Sequence, residues 1–150
     1  MIEITCQSIE PSAELIDRLE TFYCGVPAMD EILHSRNLLA GLYGDQVSPY
    51  LVYAGEVLIG VFILCIGSIE LEDDVVFYLD AVDIACLAVE EHHRCQGVGT
   101  AILSKICEIA EEMLPNGLYL HVDALDLDDG TYSAVPFYEK NGFRYLFNRE

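Results

Sequence analysis

Apolar and polar positions along this chain repeat with two periods, and the changes of period mark its elements. Met1-Ile2-Glu3-Ile4 begins as a short strand, expected at Ile2 to Ile4, and Pro11-Ser12-Ala13-Glu14 opens a helix with apolar residues at Leu15, Leu19 and Phe22. Gly25-Val26-Pro27 breaks it. Met29, Ile32, Leu33 and Leu39 predict a second helix ending near Gly41 to Gly44. Leu51 to Ala54 and Val57 to Ile66 flank Gly55-Glu56 as the arms of a hairpin, and the acidic stretch Glu70-Leu71-Glu72-Asp73-Asp74 predicts a loop after it. The apolar run Leu79 to Val89 passes through a glycine-bearing turn into an amphipathic stretch ending near Met113: strand, turn, helix. A strand at Leu118 to Ala124, a helix carrying Tyr138 and a final strand after Gly142-Phe143 complete the order β-α-α-β-β-β-α-β-α-β.

The turn is the most informative part. In His92-His93-Arg94-Cys95-Gln96-Gly97-Val98-Gly99-Thr100, Gly97 and Gly99 let the backbone pass close to a ligand with no Cβ in the way. The helix that follows aims its unpaired first N–H groups at the turn, an arrangement that binds phosphate. Arg94 is the only lysine or arginine between Arg36 and Lys105. A cation so isolated, at the mouth of such a turn, points to an anionic ligand. The sequence here lacks both the Gly-Lys-Ser/Thr ending of a P-loop and the three-glycine dinucleotide fingerprint.

Arg94, Gly97 and Gly99 instead fit Arg/Gln-x-x-Gly-x-Gly/Ala, and Ala134-Val135-Pro136-Phe137-Tyr138-Glu139-Lys140-Asn141-Gly142-Phe143 fits Ala-x-x-Phe-Tyr-x-x-x-Gly-Phe. In this order the two motifs resemble those of the GNAT acetyltransferase superfamily. The resemblance implies an α/β (α+β) fold with a mixed central sheet flanked by helices. It also implies acetyl-CoA as acyl donor, with the pantetheine arm on Leu87, Ala88 and Val89 and the pyrophosphate on Arg94, Cys95, Gln96, Gly97, Val98, Gly99 and Thr100. Ser133, Phe137 and Lys140 are further expected coenzyme contacts. Tyr138 is expected as the general acid at the coenzyme sulfur, since a phenol is protonated at neutral pH. Thr131 stands where many members carry an asparagine, seven residues before the tyrosine, and Cys95 where the family usually has glycine.

Upstream, Phe22-Tyr23-Cys24-Gly25-Val26-Pro27-Ala28-Met29-Asp30-Glu31-Ile32-Leu33 is similar to the opening of the GNAT toxins that acetylate the amino group of aminoacyl-tRNA, and Gly67-Ser68-Ile69-Glu70 resembles their next landmark. The charge departs from them. With 26 acidic against 7 basic residues the formal net charge is −19, and nucleic-acid affinity comes largely from Lys and Arg neutralising phosphates. A negative field concentrates cations instead.

Composition bounds the remainder. The chain has 150 residues, 53% of them hydrophobic, and no linker or low-complexity tract, so residues 1–150 are expected to form one domain. The most apolar stretch, Leu51 to Gly67, is split by the Gly55-Glu56 turn, and no membrane span is expected. The start, Met1-Ile2-Glu3-Ile4, has no basic flank or apolar core of a signal peptide, so the six cysteines are expected as reduced thiols of a cytoplasmic protein. Cys65 and Cys86 read as small hydrophobes in strands, whereas Cys95 at a helix N-terminus beside Arg94 is expected to have a lowered pKa. No Cys-x-x-Cys spacing supports zinc, and Asp123-Ala124-Leu125-Asp126-Leu127-Asp128-Asp129-Gly130 fails the calcium-loop pattern, so no metal is expected.

Acetyl transfer needs a neutral amine, and a lysine-like amine is neutral in only about one molecule in 2,500 at pH 7. Asp83, eleven residues before Arg94 where several GNAT enzymes place a glutamate base, and Glu90 at the strand end are the candidate bases; a water chain is the alternative. The expected activity is N-acetylation of a primary amine on a cationic small molecule or basic peptide. Toxin-like acetylation of aminoacyl-tRNA, or a non-catalytic acyl-CoA-binding module, are the other readings. The expected partners are acetyl-CoA and the amine, not nucleic acid or a membrane. A homodimer is left open.

Overall fold

The computed structural model describes residues 3–35, 47–72, 76–115 and 119–145. β1 (Thr5–Ser8) is followed by α1 (Ala13–Glu20) and α2 (Pro27–His34), then by β2 (Val47–Ala54), β3 (Val57–Glu72) and β4 (Val76–Val89). A 3-10 turn (Glu91–His93), α3 (Val98–Met113), β5 (Tyr119–Val122) and α4 (Val135–Lys140) complete the described chain. The strands form one sheet in the order β1-β2-β3-β4-β5, antiparallel except for the β4–β5 pair. This is the mixed sheet flanked by helices that the family resemblance implies.

Helices cover both faces. Leu15 and Leu19 of α1 and Leu33 of α2 are buried against Leu51, Val61, Ile63, Cys86 and Ala88. On the opposite face Val98, Ile102, Ile106 and Ala110 of α3 pack with Val52, Phe62, Leu64, Val82, Ile84 and Tyr138. Pro27 is tolerated at the first turn of α2 because the missing N–H would have no intrahelical partner there.

Several boundaries differ from the sequence expectation. The first strand begins at Thr5, not Ile2; its position is set by antiparallel pairing to β2, from Thr5 opposite Tyr53 to Ser8 opposite Tyr50, while Ile4 packs on the core just before it. The acidic stretch expected as a loop instead extends β3 to Glu72, paired with Val76-Phe77-Tyr78, whose β-forming types outweigh the poor strand propensity of the glutamates. Residues 73–75 of that stretch, and Leu39 with Gly41 to Gly44 at the expected end of the second helix, lie outside the described residues. The last expected strand does not form at Phe143 to Tyr145, which have no regular structure, and its remainder, 146–150, is likewise outside them. Among the described residues no helix is long and apolar enough to cross a membrane.

Two features of β4 create the site. Its register with β3 skips Ala85, since Ile63 pairs with Cys86 and Leu64 with Ile84. This bulge places Ile84 on the α3 face and Cys86 and Ala88 on the α1/α2 face, positions a regular strand would keep together. In addition, β5 pairs only with Ala81 to Ile84 and then stops at Val122. From Ala85 to Val89, β4 therefore has no strand on that side among the described residues.

Candidate active site

A cavity of about 340 Å³ occupies the place where β5 leaves β4. One wall is Ile84 to Val89. The N-terminal end of α3 and Phe137, Tyr138 and Lys140 of α4 form a second, and Cys24, Val26, Met29, Leu125 and Tyr132 close the far end. Leu87, Ala88, Val89, Arg94, Cys95, Gly97, Gly99, Thr100, Ser133, Phe137, Tyr138 and Lys140 all line it. Gln96 and Val98 do not: the Gln96 amide donates to the carbonyl of His92 at 3.1 Å, and Val98 is buried in the core under α3.

The turn is built for an anion. Gly97, the N-cap of α3, has φ +81°, and a Cβ there would meet nothing within 4 Å, so this glycine serves the backbone conformation. The first backbone bond of the helix runs from Ala101 N–H to Gly97 O at 3.1 Å, leaving the preceding N–H groups pointing at the turn, with no acidic residue in the first turn to repel an anion. Cys95, exposed, is the one non-glycine residue with positive φ (62°) among those described. That conformation accounts for a glycine preference at this position.

Gly99, which lines the cavity, is also needed for packing. A Cβ there would lie 2.9 and 3.0 Å from Cε1 and Cζ of Phe137, so its bareness lets α4 pack against α3. The packing in turn positions Tyr138, whose ring meets Phe137 and Phe143 edge-on at 5.1 and 5.2 Å. Tyr138 is only 7% exposed and faces the cavity, and no described residue bonds to its hydroxyl. A buried polar group without a partner requires one, and a ligand in the cavity would supply it. Burial, with Cys86 and Tyr132 nearby, pushes its pKa far up, so the phenol stays protonated.

The two candidate bases are engaged elsewhere, and neither lines the cavity. Asp83 Oδ1 is 2.9 Å from His121 Nδ1, its strand partner, and its Oδ2 occupies the space left by Gly67, where a Cβ would lie 2.5 Å away. Glu90 accepts the backbone N–H of His92 (3.0 Å) and faces Nδ1 of His92 and of His93 at 2.6 and 2.7 Å. Burial pushes the Glu90 carboxyl up, but the bonds from His93 and His92 outweigh it and hold it below its ordinary value.

Sequence reasoning missed the far wall. Cys86 reads there as a core residue, yet it and Cys24 face the cavity, and burial pushes their thiols up to about 12 and about 11. None of the six cysteines forms a disulfide. Cys24 is fixed by its N–H, which donates to Asp30 Oδ1 at 2.7 Å. Thr131 bonds to Asp129 and stays out of the cavity. Among the described residues, Glu90, Glu91 and His92 bring metal-capable atoms within 4.8 Å of one another at the surface, away from the cavity.

An edge of β4 with no strand beside it among the described residues, a glycine turn next to it and a buried phenol thus share one cavity. The sequence model of the acetyltransferase (GNAT) domain matches residues 48–145, and the chain belongs to that family: it is an N-acetyltransferase with acetyl-CoA as donor. No curated protein sequence matches the chain. Solved structures share its fold. The toxin AtaT in AtaTR bound with acetyl-CoA has TM-score 0.74 at 20% identity, over 97% of this chain and 88% of that one. AtaT complexed with acetyl-methionyl-tRNAfMet gives 0.71 at 19%, over 99% and 91%. The KacTA–DNA complex gives 0.70 at 24%, over 97% and 87%.

Proposed function

We propose that this acetyltransferase acts on an α-amine, aminoacyl-tRNA being the first acceptor to consider, and that residues 1–150 act as one domain. The observation that carries this is the cavity wall. Among the described residues it holds no histidine or glutamate, its carboxylate is Asp123, whose side chain is fully exposed, and its far end is Cys24, Val26, Met29, Leu125 and Tyr132. A lysine-like amine would reach such a wall protonated. An α-amine, with a pKa near 7.8, is neutral in about one molecule in seven at pH 7, an advantage of about 3.5 kcal/mol that removes the need for a protein base. AtaT, which shares this fold, is complexed with acetyl-methionyl-tRNAfMet, whose α-amine is acetylated, and this supports the reading.

In this mechanism the pantetheine amides pair with the open edge at Leu87, Ala88 and Val89, and the pyrophosphate lies on the turn from Cys95 to Thr100 with Arg94 and Lys140 as the cations of the wall. Ser133, which accepts the Val135 N–H at 3.2 Å, and Phe137 hold α4 over the coenzyme. Tyr138 donates a hydrogen bond to the departing sulfur. A thiol with pKa near 8.5 receives a whole proton from a more basic phenol only uphill, so this bond stabilises the thiolate as the C–S bond breaks, and the proton shed by the attacking nitrogen as it becomes an amide passes through water to the sulfur. Asp83 and Glu90 then stand outside the reaction as holders of His121 and of the 3-10 turn.

One observation favours a second reading. The net charge of −19 suits a cationic amine such as a polyamine or a basic peptide, and disfavours tRNA unless a basic partner protein supplies charge. Spermidine, a lysine-rich peptide with its N-terminus blocked and a charged-tRNA pool, assayed with acetyl-CoA at two salt concentrations, separate the two. Turnover of charged tRNA supports the α-amine reading; turnover confined to spermidine or peptide, falling as salt rises, replaces it with the cationic one.

A further inference from the structure

Arg94 reaches beyond the coenzyme turn. Its Nη1 donates to the carbonyl of Cys24 at 3.3 Å and lies 3.5 Å from where a Cβ on Gly25 would be, while its guanidinium carbon is 5.7 Å from the ring centroid of Tyr132. It therefore touches both loops of the far wall: the loop between α1 and α2, which contributes Cys24 and Val26, and the loop between β5 and α4, which contributes Leu125 and Tyr132. The first loop is also tied to the turn by Glu91, whose N–H donates to Tyr23 O at 2.8 Å.

The second loop holds Tyr132 from behind. Leu127 N–H donates to Tyr132 O at 2.9 Å, Ala134 N–H to Leu125 O at 2.7 Å, and Asp126 bridges to Ser133. A guanidinium has five N–H donors. The ring face consumes none of them, and among the described residues only the carbonyl of Cys24 takes one, so the remainder can meet a phosphate without releasing either loop.

We propose that Tyr132 is a positioning residue: with the face of its ring it holds Arg94 across the gap, so that one guanidinium joins the coenzyme's diphosphate to the wall that receives the acceptor. Acetyl-CoA binding thereby orders the acceptor wall, and the two substrates bind with positive coupling. The inference rests on the acetyl-CoA placement proposed above and is independent of the acceptor's identity.

Hydrogen exchange with and without acetyl-CoA tests it in the parent, Tyr132→Leu and Tyr132→Phe, each first checked for a cooperative melt. In the parent, acetyl-CoA slows exchange at 95–100 and also at 23–26 and 125–131. In Tyr132→Leu the protection at 95–100 remains, with acetyl-CoA affinity falling less than about tenfold, while protection of the two wall loops is lost and the acceptor KM rises more than kcat falls. Tyr132→Phe, which keeps the ring, keeps all three protections. Wall protection retained in Tyr132→Leu, or lost equally in Tyr132→Phe, overturns the proposal. No protection at 95–100 in the parent overturns the coenzyme placement, and this inference with it.

Discussion

Adding one methyl group at Gly99 should loosen the junction of α3 with α4, and Phe137 should be the residue that decides it. In Gly99→Ala the new Cβ would lie 2.9 and 3.0 Å from two ring atoms of Phe137. Carbon atoms rest about 3.5–4.0 Å apart, so the ring or α4 must retreat by roughly 0.5–1 Å. Overpacking of this kind costs about 1–3 kcal/mol. The better helix propensity of alanine returns at most about 1 kcal/mol, and less near a helix end. The net effect is a destabilisation of about 0–3 kcal/mol, or roughly 2–4 °C in Tm per kcal/mol for a chain of this length. Gly97→Ala is the control. It meets no atom within 4 Å but is strained by its φ of +81°, so it costs about 1–2 kcal/mol through conformation alone. Thermal melts of each variant in the parent and in a Phe137→Leu background give the coupling energies. Gly99→Ala should couple to Phe137 by at least about 1 kcal/mol and Gly97→Ala by less than about 0.5. Equal coupling of both glycines, or of neither, would refute the division of labour argued for the turn.

Tyr138→Phe removes a hydroxyl that has no partner among the described residues, so Tm should hold or rise slightly while kcat falls about 10²–10³-fold, as for loss of one donor to a developing anion, at nearly constant acetyl-CoA affinity; single-turnover kinetics and melts check both halves. Glu90→Gln should destabilise the protein more at about pH 5.5 than at about pH 8. The lowered Glu90 pKa contributes stability above its ordinary 4.5, lost as pH falls through the folded value, and the raised His92 pKa contributes below 6.5, lost as pH rises through its folded value, so both act together only between the two. Tm measured against pH for both proteins tests this, and parallel curves would remove the pair from the account.

The layout was readable where periodicity and side-chain type agree: the α1 stripe of Leu15 and Leu19, the hairpin around Gly55, and the strand-turn-helix at β4 and α3. Part of the cavity's lining was readable for the same reason, since Arg94, Gly97 and Tyr138 lie within local motifs. Its far wall was not. Cys24, Met29, Cys86 and Tyr132 are brought together only by long-range packing and by the bulge at Ala85, which leaves no mark in an apolar run. Gly99 shows a related limit, because a motif glycine next to a phosphate turn gives no sign that its bareness faces a phenylalanine. The reach of β3 to Glu72 was hidden because strand pairing overrode local acidity.

The central claim is that a neutral α-amine attacks the acetyl group without a base from the protein. The dependence of kcat/KM on pH, measured with the preferred acceptor in the parent, Asp83→Asn and Glu90→Gln, tests it most directly. The account predicts a single rising limb with an apparent pKa near 7.8, that of the acceptor amine, unmoved in either variant. A limb that belongs to the protein, remaining in place when the acceptor's own pKa is changed and disappearing in Asp83→Asn or Glu90→Gln, would contradict it and return the base to that carboxylate.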